Sequence, residues 1–220
     1  FNLESSDSPG GTGLPTTISQ AKPFFKSQLP TSKINDGPKA WGWNNCGPAS
    51  LAMAMAVLGL EPPGITMETS IDHARYLMLK DKGFGAEIQT REGVKVLDLD
   101  SRVTYGGEVQ SGITNAGGTP KTIRGWSNFD EMLDQGYPLI SYGIYNRKWD
   151  AIVPDDGLGY PVSAPGWTNH INAILGKTIE GKYIVAEPLS DTGLIELTRD
   201  ELGVFFEDRE GPFATAFVID

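Results

Sequence analysis

The sequence predicts an α+β fold in which a central helix near the N-terminus, bearing the sole cysteine, packs on an antiparallel sheet bearing a histidine. Three observations predict it. Helical spacing and helix stop signals cluster in the first half, strand-like apolar runs cluster after residue 137, and a Glu180-Gly181 turn joins two of those runs as neighbours. The order is helices first and sheet later, not alternating strand and helix, and no internal repeat is visible.

Residues 1–20 are rich in Ser, Gly, Pro and Thr and read as a linker or flexible arm, with one domain over 21–220. Residues 22–29 (KPFFKSQL) are aromatic and extended in character, and 30–45 form a loop around Pro30, Gly37 and Pro38. A helix is predicted from Cys46 to about Leu58, with Asn45 as N-cap, Pro48 in the first turn and Gly59 as the stop. Its residues (CGPASLAMAMAVL) are apolar on nearly every face, the mark of a buried central helix whose first turn alone reaches solvent.

A second helix is predicted over Glu68–Lys80, and the Gly- and Thr-rich stretch 101–125 reads as a long surface loop with at most a short hairpin. Ser127 is expected to cap a helix ending at Gly136, before a buried strand over Tyr137–Tyr145 and a Pro- and Gly-rich loop over 146–167. NHINAILGKTI and KYIVAEPL read as paired strands. A short strand at Leu194–Leu197, a helix capped by Thr198 and a closing strand (FATAFVID) complete the chain.

At 220 residues and 39% hydrophobic content, the chain can bury one good core or two small lobes around a cleft. A net charge of −10 is a poor match for nucleic acid or an anionic membrane surface. One cysteine makes no intrachain disulfide, and no apolar run approaches the ~20 residues that span a bilayer. A start at Phe1 reads as a processed product or an excised domain, soluble and either secreted or delivered as an effector; the compartment is left open.

The chemistry concentrates around Cys46. A thiol at a helix N-terminus faces the positive end of the helix dipole and unpaired backbone N–H groups, and both favour the reactive thiolate. Such a nucleophile needs a base, a group that orients the base, and oxyanion donors. Of two histidines, His73 lies inside a helix next to Asp72 and reads as structural. His170 opens a strand directly after a long loop, where active-site residues commonly stand. Pairing across the Glu180-Gly181 turn brings Glu187 level with the start of the His170 strand, so its carboxylate can select the imidazole tautomer; Asp191 is the reserve. From spacing alone Glu187 reads first as a surface glutamate at the strand end before Pro188.

The segment NNCGPASLAMAMAVLG resembles the nucleophile segment of papain-like cysteine peptidases, most of all the double-glycine-leader (bacteriocin-processing) peptidase-like family. PFFKSQ resembles the stretch that carries that family's oxyanion glutamine, here Gln28. SNFDEMLDQGYPLISYG resembles the unit before the histidine, and NHINAILG with YIVAEP resembles the histidine strand and its acidic partner strand. Together these stretches cover most of residues 22–190. The family more often has Asp where Glu187 stands and Gly where Asn169 stands.

The resemblance implies a peptidase with Cys46, His170, Glu187 and Gln28 in catalytic roles and a preference for cutting after small residues such as Gly-Gly. Asn44 or Asn45 would donate to the oxyanion if Gln28 did not. Trp167, three residues before His170, and Asn45 are candidate substrate contacts; the other tryptophans (Trp41, Trp43, Trp126, Trp149) read mainly as packing residues. The expected partners are a peptide or protein substrate and an inhibitor or immunity protein, with no nucleic acid and no membrane. No CxxC, HExxH or phosphate-loop pattern is present, so the sequence implies no metal and no cofactor. Two other classes stay open. One is a different thiol acyl-transfer enzyme: a cell-wall amidase, a transglutaminase or a phytochelatin-synthase-like transpeptidase. The other is a non-catalytic binding module on the same fold.

Overall fold

The structure, a computed structural model, describes residues 13–28, 44–97, 104–153, 168–190, 193–207 and 210–219. It begins with a helical turn, α1 (Ile18–Ala21), whose cap Thr17 accepts a hydrogen bond from Gln20 N. A 3₁₀ turn at Lys22–Phe24 follows, with Pro23 at its start. The extended character expected from residue 22 therefore starts only after Phe24, because the fixed φ of Pro23 suits the first residues of a helical turn.

Helix α2 (Cys46–Val57) is buried from Cys46 through Ala56. It packs on the sheet through one face and against α3 (Met67–Leu79) through another. An all-apolar helix has no face to give to water, so it must lie between layers. Its first turn is covered as well, contrary to the expectation from sequence: Cys46 keeps 9% exposure, and Thr104 lies over Gly47, where a Cβ would meet Thr104 Cγ2 at 2.4 Å. The side chain of Asn45 makes no capping hydrogen bond, although the residue occupies the N-cap position.

A hairpin of β1 (Ile88–Arg91) and β2 (Val94–Leu97) turns through Glu92 and Gly93, both at positive φ. His73 is spent here, its Nδ1 lying 2.6 Å from Lys95 O. Next come α4 (Gly106–Asn115) and β3 (Thr119–Arg124), which replace the surface loop expected over 101–125. The glycines that suggested a loop serve packing instead. Val109 and Ile113 are fully buried, and a Cβ on Gly112 would meet Leu51 Cδ2 at 2.5 Å. Glu108 reaches back to the start of the helix, its Oε2 accepting from Tyr105 N at 3.1 Å. Strand β3 buries only Ile123 well and holds Pro120, as suits an edge strand.

Helix α5 (Trp126–Asp134) starts two residues earlier than a helix capped by Ser127 would, because Gly125 takes the N-cap position at φ 79°. After β4 (Leu139–Tyr145) a short helix, α6 (Arg147–Asp150), stands at the start of what the sequence suggests is loop, capped by Asn146. Strands β5 (Thr168–Lys177), β6 (Tyr183–Ala186) and β7 (Leu194–Leu197) follow. Helix α7 (Arg199–Gly203) runs into a 3₁₀ turn at Val204–Phe206, and β8 (Phe213–Val218) closes the chain.

The result is a mixed α+β architecture. Six strands form one antiparallel sheet in the order β3-β8-β4-β5-β6-β7. Period-two alternation on β5 splits its side chains between two layers. Ile171 packs in the cluster of α2, α3 and α4, and Ala173 and Leu175 pack with Met53 of α2 and with Ala21. Ile174 joins the opposite, aromatic layer of Phe129, Trp149, Phe205 and Phe206. No helix among the described residues is long and apolar enough to cross a membrane.

Candidate active site

The first turn of α2 is tied to the start of β5: Ser50 Oγ donates to Ile171 O at 3.4 Å. That contact sets Cys46, one turn upstream, beside His170, one residue away on the strand. Cys46 lies close enough to the His170 imidazole to help raise its pKa. On its other side His170 Nε2 lies 2.5 Å from Glu187 Oε1. With Nε2 on the carboxylate, Nδ1 is the nitrogen left for sulfur.

The pair is dry, with 3% side-chain exposure for His170 and none for Glu187. Burial alone would push the imidazole toward its neutral form. The Glu187 charge, the nearby Cys46 side chain and the Glu187 hydrogen bond outweigh it, and the His170 pKa is pushed up to about 10. Aromatic edges complete the enclosure, with Tyr145 at 5.3 Å and Phe205 at 6.1 Å between ring centroids.

Glu187 follows β6 directly. Ala186 pairs with Ala173, so the next residue comes level with Asn172 and can reach back to His170. Its carboxylate takes two further hydrogen bonds: Leu189 N donates to Oε1 at 3.0 Å and Trp149 Nε1 donates to Oε2 at 2.9 Å. Its main chain is held by Gly193, whose carbonyl accepts from Glu187 N at 2.7 Å.

Gln28 is buried and reaches the same place through its backbone, donating from N to Pro188 O at 2.7 Å. Lys26 anchors this stretch through a 2.7 Å ion pair with Glu61. The structure thus brings together Cys46, His170 and Glu187, seats Gln28 against Pro188, the residue after Glu187, and leaves Asn45 buried beside the nucleophile. Trp167, Asp191, Trp41 and Trp43 lie outside the described residues. Trp126 packs among Phe129, Tyr183 and Phe206. Among the described residues no group of three or more His, Cys, Asp or Glu is placed to hold a metal ion.

Trp149 is the site residue that sequence reasoning does not single out. It is one of five tryptophans with no local pattern to set it apart, and only its contact with a carboxylate 38 positions away does so.

No family model and no curated protein matches the chain. Among solved structures it is similar to a Bacillus anthracis protein described as a C39-like peptidase, with 15% identity, a TM-score of 0.46, and coverage of 87% of this chain and 92% of that one. No residue's role follows from a likeness at that level.

Proposed function

We propose that this chain is a papain-like cysteine peptidase, with residues 21–220 as its catalytic domain, cleaving peptide bonds through an acyl-enzyme. The observation that carries the reading is the buried 2.5 Å contact of His170 Nε2 with Glu187 Oε1, on an imidazole whose pKa both Glu187 and Cys46 raise. A sulfur nucleophile, a base raised in pKa and a carboxylate that orients the base are the parts acyl transfer needs.

Cys46 attacks the scissile carbonyl as thiolate while His170 stands as imidazolium. The carbonyl oxygen becomes an oxyanion, held by the Cys46 backbone N–H and the Gln28 side chain. As the C–N bond breaks, His170 gives its proton to the leaving amine, leaving a thioester on Cys46. Water then loses a proton to His170 and attacks the thioester, releasing the acid and the thiolate. Glu187 keeps the imidazole in the tautomer that faces sulfur. The substrate is a peptide or protein, and cleavage after small residues such as Gly-Gly is the preference implied by the sequence resemblance.

The test is a survey of new N-termini in a complex peptide mixture treated with wild type or Cys46→Ala. New N-termini that depend on Cys46 support the reading. Cys46-dependent incorporation of an added amine, without new N-termini, reassigns the site to acyl transfer. Identical maps for the two proteins defeat both.

A further inference from the structure

We infer that Trp149 is a positioning residue of this site, holding the Glu187 carboxylate in the orientation that lets it fix His170. The inference rests on the reading of Cys46, His170 and Glu187 as a catalytic triad.

A carboxylate that orients an imidazole must itself be oriented, because rotation of its plane would carry the acceptor oxygen away from Nε2. Glu187 Oε1 is occupied twice, by His170 Nε2 at 2.5 Å and Leu189 N at 3.0 Å. Those two contacts leave rotation about Oε1 unopposed. The Trp149 indole N–H, 2.9 Å from Oε2, supplies the missing third point. An indole N–H is a donor only, so it pairs with a carboxylate oxygen and does not compete for the imidazole proton.

Trp149 is built to hold still. It is fully buried, its ring lies 4.7 Å from that of Phe205, and Phe205 also edges onto His170. Its backbone is clamped as well. Asn146 Oδ1 accepts from both Lys148 N and Trp149 N at 2.9 Å, and Lys148 is ion-paired with Glu207. Tyr145, whose ring edge meets His170, donates from its hydroxyl to Asp150 Oδ1 at 2.9 Å. The four-residue helix α6 is thereby bound to Glu187 directly and linked to His170 through Tyr145.

The experiment uses the single cysteine as its own reporter and needs no substrate. Alkylation of Cys46 by iodoacetamide is timed at pH 6.5 in wild type, Trp149→Phe, Glu187→Gln and the double variant. The indole ¹H–¹⁵N resonance of Trp149 is recorded in wild type and Glu187→Gln. Losing one hydrogen bond to a charged group is expected to slow alkylation about tenfold in Trp149→Phe. The double variant is expected to react no more slowly than Glu187→Gln alone, since Trp149 acts through that carboxylate. The indole proton is expected to move upfield in Glu187→Gln. A wild-type rate in Trp149→Phe overturns the inference, as does an equal slowing in both backgrounds, which is what a merely structural tryptophan would give. An indole resonance indifferent to Glu187→Gln overturns it independently. A wild-type thiol no faster than a free thiol would defeat the nucleophile reading instead, and the indole resonance would still decide whether Trp149 holds Glu187.

Discussion

Gly143 stands directly opposite His170 on the neighbouring strand, and the space a side chain would need there is filled by the backbone of Phe205. A Cβ at 143 would lie 2.2 Å from Phe205 O and 2.4 Å from Phe205 Cδ1. The first of these is backbone and cannot rotate away, so strand, 3₁₀ turn or both must shift.

Gly143→Ala is therefore expected to lose about 1–3 kcal/mol of stability, as overpacking a well-filled interior does. Because Phe205 also borders His170 and Trp149, Cys46 alkylation should slow in the same variant. Urea unfolding with a midpoint equal to wild type would show that the contact is not tight.

The His170–Glu187 pair makes a pH prediction with a definite sign. The folded-state pKa of His170 is raised from 6.5 to about 10. Its contribution to stability is then complete below the unfolded value of 6.5 and is lost as pH rises through about 10. Urea unfolding between pH 6.5 and 10 should show this decline, and His170→Asn should flatten it. Above pH 10 the buried hydroxyls of Tyr142 and Tyr183, pushed up to about 12 chiefly by burial, add a further loss of their own. In Glu187→Gln the carboxylate's charge is gone and burial prevails, so the imidazole should titrate at lower pH. A ¹⁵N titration of His170 measures this directly, and an unchanged midpoint would remove Glu187 from the role assigned to it.

Gln28→Ala tests the oxyanion donor apart from the nucleophile. Losing one such donor typically costs ~2.7–4 kcal/mol, about 10²–10³ in kcat. With a cleaved peptide in hand, kcat should fall by that factor with little change in KM, while iodoacetamide alkylation of Cys46 stays near wild type. A fall in alkylation equal to the fall in kcat would mean that Gln28 supports the thiol and not the oxyanion.

Gly176→Ala should unseat the N-terminal segment from the sheet. A Cβ at 176 would lie 1.9 Å from Pro15 O, again a backbone atom. Limited proteolysis is expected to cut between residues 13 and 21 faster in this variant, at a cost of about 1–3 kcal/mol in stability. Equal cutting rates would show that the segment is held without this contact.

The sequence made the apolar elements legible and the glycine-rich ones illegible. α2 was readable because a run of apolar residues stopped by Gly59 leaves little alternative to helix, and the helix expected over Glu68–Lys80 lies within one residue of the observed α3. Strands β5 and β6 were readable from apolar runs flanking a tight turn. α4 was not, since Gly106, Gly107 and Gly112 are poor helix formers, and the helix exists because Val109 and Ile113 are buried and because bare Gly112 lets Leu51 and Met78 approach. The small hairpin β1–β2 carried a Glu92-Gly93 turn but few apolar residues around it.

By itself the sequence determined that a buried helix starts at its only cysteine, and that a histidine stands on a strand whose neighbour ends just before a glutamate, because short-range apolar spacing and turn chemistry dictate both. Which groups enclose the carboxylate was decided only in three dimensions. Trp149 and Phe205 reach Glu187 and His170 from distant parts of the chain, through the packing of an aromatic layer against the sheet, and no local pattern encodes which side chains that packing brings within hydrogen-bond range.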